Sequence, residues 1–143
     1  MRIADILSTA AVRSQAQATS KKRLFHDLAE MAAQAYGVNA AQTLDALQER
    51  ESLGATGVGH GVALPHARIP GLDRVAGLFL RLEKPMDFDA VDRQPVDLIF
   101  ALLAPKNSGV DHLKALALVS RTLRDQDLRA KLREGGTPVE AEP

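Results

Sequence analysis

One histidine follows a proline and a run of four glycines near the middle of the chain, in the segment 50–68, RESLGATGVGHGVALPHAR. Pro65 fixes its own φ and biases Leu64 towards an extended conformation, so VALPH predicts a strand that ends abruptly and presents His66 at a strand edge or loop mouth. The glycines permit turns with positive φ or leave space for another backbone or a bulky anion. The pattern indicates a shallow site around His66, with a bent strand carrying an incidental histidine as the alternative.

Several other kinds of site are disfavoured by residue types and spacing. No GxxxxGK[ST] is present, and the glycines do not open a helix after a strand as a dinucleotide-binding loop requires. The absence of cysteine excludes a disulfide framework, thiol catalysis and thiolate metal ligands. The histidines lack HxxxH or HExxH spacing, so neither a metal site nor a bound cofactor is predicted. His26 is expected to be a solvated helix residue, and His60 lines the rim of the site at most.

A second histidine is expected at the start of a helix in PKNSGVDHLK. Asn107 or Ser108 can cap that helix, which places His112 in its first turn, where free backbone N–H groups favour an anion. The apolar segment 96–105 just before it predicts a buried strand, and open α/β sheets collect ligands outside the carboxyl ends of their strands. His112 is therefore a candidate second wall of the His66 site, with an ordinary exposed helix histidine as the alternative.

Hydrophobic spacing predicts the elements that position these residues. They are an apolar turn over 3–7, a helix from Thr19 or Ser20 to Gly37, a helix from Asn39 to about Glu51, strands over 75–83 and 96–105, and helices over 110–124 and 127–134. Arg50 lies where the second helix meets the glycine segment. We expect one domain over 1–134 and a disordered tail over 135–143, since the tail GGTPVEAEP has little apolar character.

Length and charge limit the classes of partner. A chain of 143 residues fits one domain with an ordinary core. Its 18 basic and 18 acidic side chains cancel, so no overall field recruits nucleic acid or an anionic membrane. No apolar run approaches the roughly 18 residues that span a bilayer, and the N-terminus lacks a long apolar signal region. We expect a soluble cytoplasmic protein that is not inserted into a membrane.

Three segments of the chain resemble a known family. They are RESLGATGVGHGVALPHA, DAVDRQPVDLIFALLAP and HLKALALVSRTLRD. These segments are similar to the enzyme IIA components (EIIA type-2 domains) of the fructose/mannitol class in the bacterial phosphotransferase system. Within that class they are most similar to the nitrogen-related IIA regulators. The resemblance covers roughly residues 3–134. It implies a single-domain α/β sandwich with a mixed β-sheet flanked by helices, which agrees with the predicted elements.

The resemblance also implies roles for three residues. His66 would accept a phosphoryl group from the phosphohistidine of a small HPr-like carrier, and a neutral imidazole with an ordinary pKa of about 6.5 is nucleophilic at cell pH. His112 would donate a hydrogen bond to the phosphoryl group, and Arg50 would stabilise its charge. No cofactor and no magnesium would be needed. Without the resemblance, Arg50 would be interpreted as a surface ion-pair partner of Glu49 or Glu51.

The nitrogen branch implies a regulator whose phosphorylation state controls partners such as sensor kinases or potassium transporters. Two alternatives remain open. One is a stand-alone sugar IIA component of the fructose/mannitol type that passes the phosphoryl group to a IIB domain, and the other is an anion-binding regulatory module without phosphotransfer. The Ala-Arg pair after His66 differs from the Gly-Lys of some members, which places Arg68 near the site with no assigned role.

Overall fold

The computed structural model describes residues 1–142. In chain order its elements are α1 Ile3–Ile6, β1 Leu7–Ala16, α2 Lys21–Tyr36, α3 Ala40–Ser52, β2 Gly57–Gly59, β3 Val62–Ala63, β4 His66–Ile69, β5 Ala76–Met86, β6 Val96–Pro105, α4 Val110–Leu123, α5 Gln126–Arg133 and α6 Pro138–Ala141. The strands form one mixed sheet in the order β1-β5-β6-β3-β2, and β4 also pairs with β6. The predicted α/β architecture, a mixed sheet flanked by helices, is confirmed.

The long buried strand β6 pairs with the segment that presents His66. It is apolar almost throughout, pairs antiparallel with β5 on one side, and pairs in parallel with β3 and β4 on the other. Val62 lies opposite Leu98 and His66 opposite Leu102, so the register along β6 is the same before and after the break at Leu64 and Pro65. The predicted abrupt strand end is therefore only an interruption, because Pro65 has no N–H to donate. Its carbonyl still accepts the N–H of Leu102 at 2.9 Å.

Two helices, α2 and α3, begin and end as predicted. The Ser20 hydroxyl accepts the N–H of Arg23 and starts α2, which ends at Gly37 with a φ of 72°. The Asn39 side chain accepts the N–H of Gln42 at 2.9 Å and starts α3. Because α3 packs on β4, the last turn of α3 lies beside His66. Over residues 1–142, every helix is too short or too polar to cross a bilayer.

The first strand was not predicted. β1 pairs in parallel with β5 at one edge of the sheet, from Leu7 opposite Gly77 to Ala16 opposite Leu82, with two irregularities in register. Its buried residues do not alternate with exposed ones. The period of two that identifies a strand in sequence is therefore missing, and the sequence showed only the apolar turn that precedes it.

The C-terminal segment differs from the expected disordered tail over 135–143, of which the structure describes all but the last residue. Thr137 and Glu140 form a reciprocal capping box that starts the short helix α6. The Glu142 side chain then accepts the N–H of Ile3 at 2.8 Å. A local capping signal and one long-range hydrogen bond therefore order a segment with few apolar residues.

Candidate functional site

His66 is the first residue of β4 and is half-buried. Its Nδ1 lies 2.8 Å from the carbonyl oxygen of Leu64. A carbonyl oxygen can only accept, so Nδ1 carries the proton and the neutral ring keeps its lone pair on Nε2. The backbone thus fixes one tautomer of His66 and makes Nε2 the nucleophilic nitrogen.

Arg50 faces that nitrogen from the last turn of α3. Its Nε lies 3.3 Å from Nε2 of His66, and its Nη1 donates to the carbonyl of Gly54 at 2.9 Å. Glu51, one of the two carboxylates considered as an ion-pair partner of Arg50, instead binds Lys21 at 2.9 Å. The guanidinium of Arg50 has five N–H donors in a fixed fork, so donors remain for an anion bound at Nε2.

The glycines serve both purposes that the sequence suggested. Gly59, His60 and Gly61 have positive φ values of 105°, 58° and 77°, which form the tight turn between β2 and β3. A Cβ added at Gly57 would lie 2.7 Å from the Cβ of Ala90, so this glycine allows close approach of another backbone. His60 is thereby a turn residue, while His26, as expected, is a surface residue that lies 3.3 Å from a carboxylate one helical turn away.

His112 lies against His66, as the sequence predicted. The ring centroids are 5.6 Å apart, and the rings are inclined at 68°. His112 occupies the first turn of α4, but the predicted cap is wrong. The N-cap residue is Gly109, with a φ of 58° and no side chain to accept a hydrogen bond. A positive φ of this kind requires glycine at the N-cap position. The hydroxyl of Ser108, a predicted cap, is buried and has no hydrogen-bond partner among residues 1–142.

The environment of His112 disfavours the charged form of its ring. Burial lowers the pKa of His112 below the ordinary 6.5, and the nearby His66 and Arg68 lower it further. Its side chain is buried, and its Nε2 has no hydrogen-bond partner among residues 1–142. An unpaired buried polar atom costs roughly 1–3 kcal/mol, which a bound ligand could recover by pairing with it. Arg68 follows His66 by two residues in β4, on the same face of the strand.

A carboxylate that was not predicted to belong to the site, that of Glu51, holds the loop between α3 and β2 by hydrogen bonds. The two oxygens of Glu51 accept the hydroxyl of Thr56 at 2.6 Å and its N–H at 3.0 Å. Glu51 also binds Lys21, which lies thirty residues earlier in the chain. No short-range signal could reveal this contact, because it depends on how α2 packs on α3.

Together these groups form a site that can bind and receive an anionic group. It contains the Nε2 of His66, a guanidinium in contact with that nitrogen, and the buried imidazole of His112, whose ring centroid lies 5.6 Å from that of His66. Within residues 1–142, no group of three or more His, Cys, Asp or Glu side chains could hold a metal ion.

Comparison with known proteins identifies the family. The family model described as "Phosphoenolpyruvate-dependent sugar phosphotransferase system, EIIA 2" matches residues 5–141. A nitrogen regulatory protein of Bradyrhizobium diazoefficiens is 48% identical over 133 residues, which are 93% of this chain and 87% of that protein. A nitrogen regulatory protein of Klebsiella oxytoca is 39% identical over 134 residues, 93% of this chain and 83% of that protein.

A solved structure agrees with these sequence matches. The crystal structure of nitrogen regulatory protein IIA-Ntr from Neisseria meningitidis matches with a TM-score of 0.88 and 35% identity, covering 96% of this chain and 94% of that chain. This chain therefore belongs to the EIIA type 2 family of the phosphoenolpyruvate-dependent sugar phosphotransferase system, among relatives named nitrogen regulatory proteins.

Proposed function

We propose that this protein is a cytoplasmic phosphohistidine carrier and regulator of the nitrogen-related phosphotransferase system. It accepts a phosphoryl group on Nε2 of His66 from an HPr-like phosphocarrier, and its phosphorylation state controls its partners. The observation that carries this proposal is the hydrogen bond from Nδ1 of His66 to the Leu64 carbonyl, 2.8 Å long. It leaves the lone pair on the nitrogen that Arg50 contacts.

The proposed transfer is a displacement at phosphorus. The lone pair of His66 Nε2 attacks the phosphorus of the carrier's phosphohistidine, the carrier's N–P bond breaks, and its electron pair stays on the carrier nitrogen. The proton on Nδ1 of His66 remains in its hydrogen bond to Leu64, so the phosphorylated ring carries a positive charge. A cationic ring is a good leaving group, which makes onward transfer to another acceptor possible.

Arg50 and His112 stabilise the charge of the transferred group. In phosphoryl transfer the protein contributes positioning and electrostatic stabilisation more than covalent chemistry. The Nε–H of Arg50, now 3.3 Å from Nε2 of His66, would turn to a phosphoryl oxygen as that lone pair forms its bond. The unpaired Nε2 of His112 can form a hydrogen bond with another oxygen of the phosphoryl group.

Regulation follows from the charge that phosphorylation adds. A phosphoryl group brings up to about two negative charges to a chain of zero formal net charge. Exposed apolar side chains flank the site, with Leu53 80% exposed beside the loop that Arg50 contacts and Leu113 64% exposed next to His112. A partner docked on this surface would have to desolvate the new charge or supply a cation. The two phosphorylation states are therefore expected to bind different partners.

The partner prediction is tested by measuring how candidate sensor kinases and potassium transporters bind unmodified and phosphorylated protein. We expect each partner to prefer one state. Equal affinity of every candidate for both states would remove the regulatory part of the proposal and leave a passive carrier.

Phosphoryl acceptance is tested by intact mass spectrometry before and after incubation with an HPr-like carrier and its phosphodonor system. The protein is expected to gain the mass of one phosphoryl group in an acid-labile, base-stable form, and His66→Ala is expected to abolish that gain. His26→Ala is the matched control, because His26 is an exposed histidine remote in the sequence from the glycine segment. Full labelling of His66→Ala would contradict the proposal, and absence of labelling in the unaltered protein would favour an anion-binding module.

A further inference from the structure

The tautomer of His66 depends on the carbonyl of one residue, Leu64, that lies outside the regular strands. Leu64 falls between β3 and β4. Its carbonyl holds Nδ1–H of His66 at 2.8 Å, and its N–H donates to the carbonyl of Thr56 at 2.9 Å. On the other side, the carbonyl of Pro65 accepts the N–H of Leu102. The Leu64 carbonyl thus lies between two backbone anchors, the hydrogen bond of Leu64 to Thr56 on one side and that of Pro65 to β6 on the other.

Thr56 in turn is held by a buried carboxylate. Glu51 accepts both the hydroxyl and the N–H of Thr56, and its side chain is only 8% exposed. The ammonium group of Lys21 binds the same carboxylate at 2.9 Å and lies 4.3 Å from the ring centroid of Phe88. The three groups that hydrogen-bond to this carboxylate are all donors, so these contacts use both of its oxygens as acceptors.

The same loop also sets the position of Arg50. Arg50 and Glu51 are neighbours in the last turn of α3, and each holds one end of the loop that follows. Arg50 donates to the carbonyl of Gly54, while Glu51 holds Thr56 two residues later. Release of Thr56 would therefore loosen both the loop that supports the guanidinium and the peptide that orients the imidazole.

We propose that Glu51 is a positioning residue for His66. It does not contact the imidazole, but through Thr56 and Leu64 it holds the carbonyl that keeps the proton on Nδ1 and the lone pair on Nε2. The consequence for phosphoryl transfer rests on the proposed function, whereas the consequence for the tautomer does not. A purely structural role would instead lower stability and leave the tautomer of the folded protein unchanged.

The test compares Glu51→Gln with Glu49→Gln, a matched loss of one carboxylate at an exposed position two residues away. An amide at position 51 would direct N–H groups at donors, so it cannot replace both accepting oxygens. Long-range ¹H–¹⁵N NMR of the histidine rings reports the proton position on His66 in folded protein. We expect Nδ1–H in the unaltered protein and Glu49→Gln, and a mixture of the two tautomers in Glu51→Gln.

Transfer from the HPr-like carrier is measured on the same variants. Loss of an outer-shell partner of a metal-bound histidine costs about 10- to 100-fold in affinity or activity. By analogy, Glu51→Gln, which acts on His66 through Thr56 and Leu64, is expected to slow labelling about 10-fold, whereas Glu49→Gln is not. Thr56→Val is the second variant, because it removes only the hydroxyl contact, and Thr56→Ser is expected to restore both readouts.

The outcomes separate the two proposals. An unchanged His66 tautomer in Glu51→Gln and Thr56→Val, with transfer as fast as in the unaltered protein, would overturn the positioning role. If Glu51→Gln does not fold, the His66 tautomer and the labelling rate of Thr56→Val test the positioning role in its place. If the unaltered protein takes no phosphoryl group, the proposed function fails, and the NMR comparison alone supports or overturns the positioning role.

Discussion

The two walls of the site are built in opposite ways. On the glycine side, both ring nitrogens of His66 are engaged, Nδ1 with Leu64 and Nε2 with Arg50. On the α4 side, His112 is buried, and its Nε2 has no hydrogen-bond partner among residues 1–142. The first wall is organised by hydrogen bonds within the protein, and the second holds a polar atom that a ligand can pair with. Under the proposed function, the glycine side supplies the nitrogen that accepts the phosphoryl group, and the α4 side offers a hydrogen-bond partner for one of its oxygens.

The largest expected effect that tests this difference between the two walls is on the rate of phosphoryl transfer to His66. Arg50→Ala and His112→Ala each remove one group that we propose to stabilise developing charge, and loss of a single donor of this kind costs about 10²-fold in rate. We expect each variant to label His66 about 10²-fold more slowly and still to completion, as followed by intact mass against time.

His26→Ala is the control for these rates, since His26 is exposed on α2. An Arg50 or His112 variant that transfers at the unaltered rate would return that residue to a structural role. If only His112→Ala were unaffected, the α4 wall would be a packing surface rather than part of the site.

A smaller effect concerns pH and stability. Because burial lowers the pKa of His112 below 6.5 in the folded protein, the unfolded chain binds a proton more readily than the folded one. The native state is therefore penalised as pH falls below about 6.5, and the penalty stops growing below the folded pKa. We expect His112→Gln to lose less free energy of unfolding than the unaltered protein between neutral and mildly acidic pH.

Denaturant unfolding at a series of pH values checks this difference. Parallel curves for His112→Gln and the unaltered protein would show that His112 is not desolvated in the folded state.

The parts of the fold that sequence could predict are those with local signals. Ser20, Gly37 and Asn39 mark helix ends by side-chain caps or positive φ, and the apolar run of β6 stands out as a buried strand. β1 has no regular alternation and is defined by pairing with β5. The α6 helix had a visible Thr137 to Glu140 capping box, but its low apolar content argued against order.

The candidate site divides in the same way. The proline before His66 and the glycines around it indicated an exposed imidazole, and the strand-to-helix order indicated that His112 would lie near it. The burial of His112, its unpaired Nε2 and the contact between Glu51 and Lys21 depend on packing between elements distant in sequence. Such contacts carry no periodicity or motif, so only the three-dimensional structure reveals them.

The most direct test of the account is which nitrogen of His66 carries phosphorus. The fixed Nδ1–H to Leu64 hydrogen bond predicts an Nε2–P bond. One-bond ¹⁵N–³¹P coupling in phosphorylated, ¹⁵N-histidine-labelled protein distinguishes the two ring nitrogens. We predict coupling to Nε2 of His66, with the proton retained on Nδ1. Coupling to Nδ1 of His66, or to a nitrogen of any other histidine, would contradict the account.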